Sequence, residues 1–125
     1  MVNPFADQKF FMEACDQTAD GTNNKEQYDL YRSLISEELE ELNEAIENND
    51  EVEQLDALID ILVVTIGAIH SMGADAEEAW SEVYKTNLAK IDKDTGKVIK
   101  REDGKVLKPA GWKGPVLKQF LSASS

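Results

Sequence analysis

From Ser33 to Tyr84 the chain holds 15 Asp and Glu residues and no Lys or Arg, while its apolar residues return every three or four positions. No other feature constrains the fold as strongly. A period of three to four marks amphipathic helices. Each helix must therefore bury one face while its acids have no local base to pair with. Ile35, Leu39, Leu42 and Ile46 mark one apolar face. A second apolar run, Ala57 to Ala74, contains a single formal charge, Asp60.

The net charge of −12 is unevenly spread. Lys85 to Ser125 carries ten bases and four acids, so an acidic middle is followed by a basic tail of +6. The overall charge disfavours nucleic acid and anionic membrane as partners. A lone Cys15 and a lone His70 exclude a disulfide scaffold and zinc sites built from several Cys or His. Met1 to Asp7 lacks the basic and apolar regions of a signal peptide, and the run Ala57–Ala74 is short and interrupted for a membrane span. The expectation is a soluble, cytoplasmic protein. At 125 residues, 42% of them hydrophobic, a single domain over residues 1–125 is expected.

The pattern predicts an all-α fold of about four helices with a short hairpin and an irregular tail. Helix one is expected over residues 7–20 and helix two over 25–48, broken by Asn48-Asn49-Asp50. Helix three is expected over 51–72, stopped by Gly73, and helix four over 76–91, capped by Asp75. The helical core then covers about residues 5–91. Val98–Arg101 and Lys105–Lys108 flank Glu102-Asp103-Gly104 as a hairpin in the basic tail, 92–125.

On a helical wheel Glu38 falls between Leu42 and Ala45 and interrupts the apolar face of helix two. Glu41 and Glu37 form a ridge at the edge of that face, and Glu40, Glu44 and Glu47 point away. On helix three, Asp56 and Asp60 are an i, i+4 pair, with Glu53 on the same face. An ionised carboxylate is costly to bury unpaired. It can raise its pKa, find a distant base, or bind a cation. Asp60 alone could be a core carboxylate bonded to a Tyr or to a Lys of the tail. Two adjacent helices that both bring carboxylates into their packing face instead suit a hard divalent cation, Mg²⁺ or Mn²⁺. An EF-hand is excluded for want of its loop, and a ferritin-type site is disfavoured for want of Glu-x-x-His.

Lys85, Asn87 and Lys90 end helix four, and Lys105 and Lys108 follow on the hairpin. Lysines beside a carboxylate-bound metal suit a polyphosphate, although each could equally pair with surface acids. No P-loop motif is present.

Taken in order, these residues resemble a known family. Glu37-Glu38-x-x-Glu41, the run Asp56 to Ala68, the run Glu82 to Lys90 and the segment Asp103 to Pro109 are similar to the MazG-like all-α nucleoside triphosphate pyrophosphohydrolases, of the phosphoribosyl-ATP pyrophosphohydrolase-like superfamily. The likeness covers roughly residues 30–112. One departure is that the family's E-x-x-D motif has Ala57 at its Glu position. Asp56 stands one residue earlier, and Glu53 is an alternative. The resemblance implies Mg²⁺, or Mn²⁺ in its place, held by Glu37, Glu38, Glu41, Asp56 and Asp60. It implies a water oriented or deprotonated by Glu38, and phosphate held by Asn87 and Lys90 with Lys85, Lys105 and Lys108. It also implies release of pyrophosphate and a nucleoside monophosphate, and a homo-oligomer, dimer or tetramer. Phage-type relatives imply a purine deoxynucleotide such as dGTP. Phe10, Phe11 or Trp112 could stack on a base or pack in the core. The alternative is a non-enzymatic acidic interaction protein such as a DNA mimic, which requires carboxylates in outward-facing rows.

Overall fold

The structure is a computed structural model that describes residues 1–121; positions 122–125 of the expected tail lie outside the described residues. It is all-α. The helices are α1 (Pro4–Ala14), α2 (Lys25–Glu47), α3 (Glu51–Ser71) and α4 (Ala76–Leu88), followed by a 3₁₀ turn, Lys118–Phe120. No strand forms among the described residues.

Local chemistry explains the helix ends. Asn3 caps α1 by accepting from the Ala6 N–H at 3.1 Å, and Pro4 follows in the first turn. The helix therefore begins three residues before the expected start. It stops at Ala14, well short of residue 20, because the Cys15 N–H folds back on Phe11 and Met12 and Asp16 adopts a φ of 58°. Asn24 caps α2 and Asp50 caps α3, each accepting from a backbone N–H three residues on at 3.1 Å. Asn49, at φ 53°, turns the chain between them. Gly73, at φ 76°, follows the end of α3 as expected. α4 ends at Leu88, and Lys90 and Ile91 close in tighter turns on Asn87 and Leu88 rather than extending the helix.

The chain divides into two compact units, Met1–Ala76 and Glu77–Phe120. In the first, α2 lies along α3 and α1 packs on α3. Met12, Ala19, Tyr31, Val64 and Ala68 form the core, with Tyr28, Leu34 and Ile35 packed against it. Gly67 admits Tyr31: a Cβ there would clash with the tyrosine ring at Cε1, Cδ1 and Cζ. The Tyr31 hydroxyl donates to Gln17 Oε1 at 2.5 Å, which keeps the phenol bonded where it meets the core.

A buried polar network ties the segment between α1 and α2 to the end of α3. Gln27 Nε2 donates to the Thr18 carbonyl and to Ser71 Oγ, and Gln27 Oε1 accepts from the Thr18 N–H. Asn24 adds its own N–H to the Ser71 carbonyl and its amide to Thr18 Oγ1. Asn24→Ala removes both the cap and the Thr18 bond. It is expected to cost about 1.5 kcal/mol, read as a lower urea midpoint with an unchanged slope.

α3 was expected to be a buried core helix, and the single chain covers only part of it. Ala57, Val64, Ile66 and Ala68 are buried, whereas Leu55, Leu58, Ile59 and Leu62 are about half exposed. Leu39 and Ile46 of α2, assigned to its apolar face, are also about half exposed. A helix apolar nearly all round needs neighbours on several sides, and α1 and α2 leave part of its apolar surface uncovered. Among the described residues no single helix is long and apolar enough to cross a membrane.

In the second unit the expected hairpin is present without extended strands. Lys100 bridges Val106 in antiparallel fashion, and Gly104 closes the turn by donating to the Arg101 carbonyl. A further turn over residues 92–97, with Ile91 bridging Val98, precedes it and was not foreseen. Trp112 Nε1 donates to the Thr86 carbonyl at 2.7 Å, and the Val116 N–H donates to Glu82. Both bonds tie the tail to α4.

Candidate metal centre

The acidic residues of α2 and α3 meet in a cleft of about 550 Å³ in the first unit. Its position follows from the sequence. Glu38 and Glu41 are one turn apart on α2, and Asp56 and Asp60 are one turn apart on α3. The short Asn48–Asp50 turn returns α3 alongside α2. Small buried residues, Ala45 and Ala57, line the cleft and leave it open.

Glu38, Glu41 and Asp60 each place a carboxylate oxygen within 4.8 Å of the others. Asp56 and Glu53 also line the cleft. Glu37 is exposed and is not among the lining residues. Glu44, expected to point away, and Asp50, the cap of α3, line it too. Glu44 continues the Glu38–Glu41 ridge by another i, i+3 step, and that spacing was the available signal.

The electrostatics are those of anions held together without a counter-charge. The Glu38 carboxyl is pushed up to about 7, first by hydrogen bonding with Glu41, then by desolvation, then by the charges of Glu41, Asp60 and Asp56. Asp60 is also raised, by burial first and then by Asp56 and Glu41. Glu38 Oε2 is buried and has no hydrogen-bond partner among the described residues. No Lys, Arg or Tyr bonds Asp60 among them either, so the reading of Asp60 as a paired core carboxylate finds no partner. An orphaned buried oxygen beside two further carboxylates is a donor set that a hard divalent cation satisfies.

The expected phosphate ligands belong to the second unit. Lys85, Lys90 and Lys108 line a groove there. Asn87 accepts from Lys90 Nζ at 3.1 Å. Lys105 is exposed, outside the groove lining, and its backbone closes the hairpin turn. Phe10 and Phe11 are exposed on α1 rather than packed in the core.

The family model described as phosphoribosyl-ATP pyrophosphohydrolase matches residues 8–87. No curated protein matches the chain. The matched span contains every carboxylate of the cleft and stops at Asn87. It covers well over half of the chain, and its all-α architecture and acidic cluster suit a family that is typically dependent on divalent metal. The chain belongs to the phosphoribosyl-ATP pyrophosphohydrolase family, within the MazG-like nucleotide pyrophosphohydrolase superfamily.

Proposed function

We propose that this nucleotide pyrophosphohydrolase uses Mg²⁺, with Mn²⁺ as a substitute, to hydrolyse (deoxy)nucleoside triphosphates to the monophosphate and pyrophosphate. The observation that carries the reading is the carboxylate cluster with its orphaned Glu38 oxygen. Glu38, Glu41 and Asp60, with Asp56 beside them, would hold the cation, and Glu37 is a peripheral candidate. A bound divalent cation neutralises phosphate charge and lowers the pKa of water. Glu38 is the proposed base. Its half-buried carboxylate, with one unpartnered oxygen, would take a proton from the attacking water. Water attacks one phosphorus of the α–β phosphoanhydride and its oxygen stays there; the bond from that phosphorus to the bridging oxygen breaks, the bridging oxygen leaves with the other product, and the water's protons pass to Glu38 and the solvent. Lys85, Asn87, Lys90, Lys105 and Lys108 are the groups proposed to take phosphate charge. dGTP is the first substrate to test.

A homo-oligomer is part of the proposal. The half-exposed leucines and isoleucines of α2 and α3 make an apolar surface that a second copy would cover. The DNA-mimic reading is weaker, because Glu38 and Asp60 are half-buried rather than displayed outward.

The test is product analysis with the four dNTPs, the four NTPs and phosphoribosyl-ATP. Pyrophosphate and monophosphate are expected with Mg²⁺ or Mn²⁺ and none with EDTA. Asp60→Asn is expected to lower turnover by roughly 10²-fold or more. Absence of turnover across the panel would overturn the reading.

A further inference from the structure

The second unit contains a groove of about 940 Å³ that the matched family span barely reaches. Lys85, Lys90, Lys93, Lys108 and Lys113 line it around Trp112. Asp92 is the one acid in that lining, and its carboxylate accepts from the Asp94 N–H. None of the five lysines makes an ion pair among the described residues; the tail's one ion pair there is Arg101 with Asp103. A protein of net charge −12 thus keeps five lysines around one groove with a single acid, Asp92, in its lining.

Trp112 organises two of them. Its indole N–H is fixed to the Thr86 carbonyl at the end of α4. Lys90 Nζ lies 5.0 Å and Lys108 Nζ 5.2 Å from its ring centroid. Both are within cation–π range. Two ammoniums that would otherwise repel are held about one common point, no more than ~10 Å apart. Asn87 restrains Lys90 further through its 3.1 Å bond.

We propose that Trp112 is a positioning residue that sets Lys90 and Lys108 as a two-cation subsite for a short polyphosphate. Two ammoniums at this spacing can each meet a phosphoryl group of one chain. The protein's overall negative charge opposes a long polyanion and leaves a small multivalent one as the ligand. The inference deepens the triphosphate reading above, because the anion class is the same. It stands on residues 86–112 alone and needs no metal.

Tryptophan emission tests it on the full chain carrying Trp80→Phe, which leaves Trp112 as the reporter. Titration with sodium tripolyphosphate in EDTA is expected to change the emission saturably, with pyrophosphate weaker and sulfate weaker still. Lys90→Gln with Lys108→Gln is expected to weaken tripolyphosphate binding roughly 10-fold or more. Followed by calorimetry, Trp112→Leu is expected to weaken it roughly 5-fold, and Trp112→Phe, which keeps a π face, to recover most of that loss. Five results would overturn the proposal: no saturable response, affinity unchanged in the double lysine variant, affinity unchanged in a folded Trp112→Leu protein, sulfate binding as tightly as tripolyphosphate, or a DNA duplex binding more tightly than either. The lysine variant is a surface change, so the test survives if Trp112→Leu fails to fold. Tripolyphosphate binding without nucleotide hydrolysis would sink only the proposed reaction. Hydrolysis without such binding would sink only the subsite.

Discussion

Glu38→Gln is expected to reduce nucleotide hydrolysis by roughly 10³-fold, within the range for loss of a positioned base, while making the metal-free protein more stable. Both effects have one cause. Glu38 is held beside Glu41, Asp56 and Asp60 with a buried, unpartnered oxygen, and its pKa is pushed up to about 7. Gln matches the shape of the protonated acid but can neither accept the proton of a water nor ligate a cation as a carboxylate.

The sign of the pH dependence follows from linkage. Between the usual carboxyl range and pH 7 the folded state binds the Glu38 proton and the unfolded state does not. Stability of the metal-free protein therefore falls as pH rises through that window. Solvent at the open side of the cleft screens the repulsion, so the loss is about 1 kcal/mol. Thermal melts in EDTA at pH 5 and pH 8 should show a larger drop for the wild type than for Glu38→Gln. Saturating Mg²⁺ or Mn²⁺ should restore the wild type at pH 8, by about 2.7 kcal/mol at a hundredfold excess over Kd, and restore the variant much less. A variant that keeps its turnover, or melts indistinguishable between the two proteins, would refute the assignment.

The second large effect concerns packing. Gly67→Ala is expected to destabilise the fold by about 2–3 kcal/mol, although alanine is the better helix former by about 1 kcal/mol. The added Cβ would clash with the Tyr31 ring. That ring cannot withdraw easily, because its hydroxyl is tied to Gln17 and it belongs to the core cluster of Met12, Ala19, Val64 and Ala68. A fall in Tm of roughly 10 °C is expected for a domain of this size. Tyr31→Phe with Gly67→Ala should recover little, because the clash is with the ring and not the hydroxyl. A Gly67→Ala protein as stable as the wild type would show that α2 and α3 can separate there at little cost.

The parts legible in the sequence were those with a local physical signature. Asn24, Asp50 and Gly73 mark the ends of α2 and α3 because capping and left-handed turns need those residue types. Glu38 and Asp60 stood out because a charge within an apolar face needs a compensating partner. α1 was misplaced because its start depends on Asn3 and Pro4, while its weakly amphipathic residues carry little periodic signal. Glu37 and Glu44 exchanged their expected places because a wheel assigns an angle to each residue but not the width of the cleft between helices. The half-exposure of Leu58, Ile59 and Leu62 was hidden for a related reason: periodicity identifies an apolar face but not what covers it. The bond from Trp112 to Thr86 spans 26 positions and has no local pattern at all.

The short Asn48–Asp50 turn also bears on how the chain reaches its native state. Glu38 and Asp60 are only 22 positions apart, and α2–α3 is the largest helix pairing in the molecule. Contacts of low sequence separation have the least loop entropy to overcome and form early. Pairing of α2 with α3 is therefore expected to gather the carboxylates early in folding, rather than in a finished scaffold. Their mutual repulsion is then expected to slow that step as well as perturb the final state, and ionic conditions that quiet the cleft are expected to speed refolding.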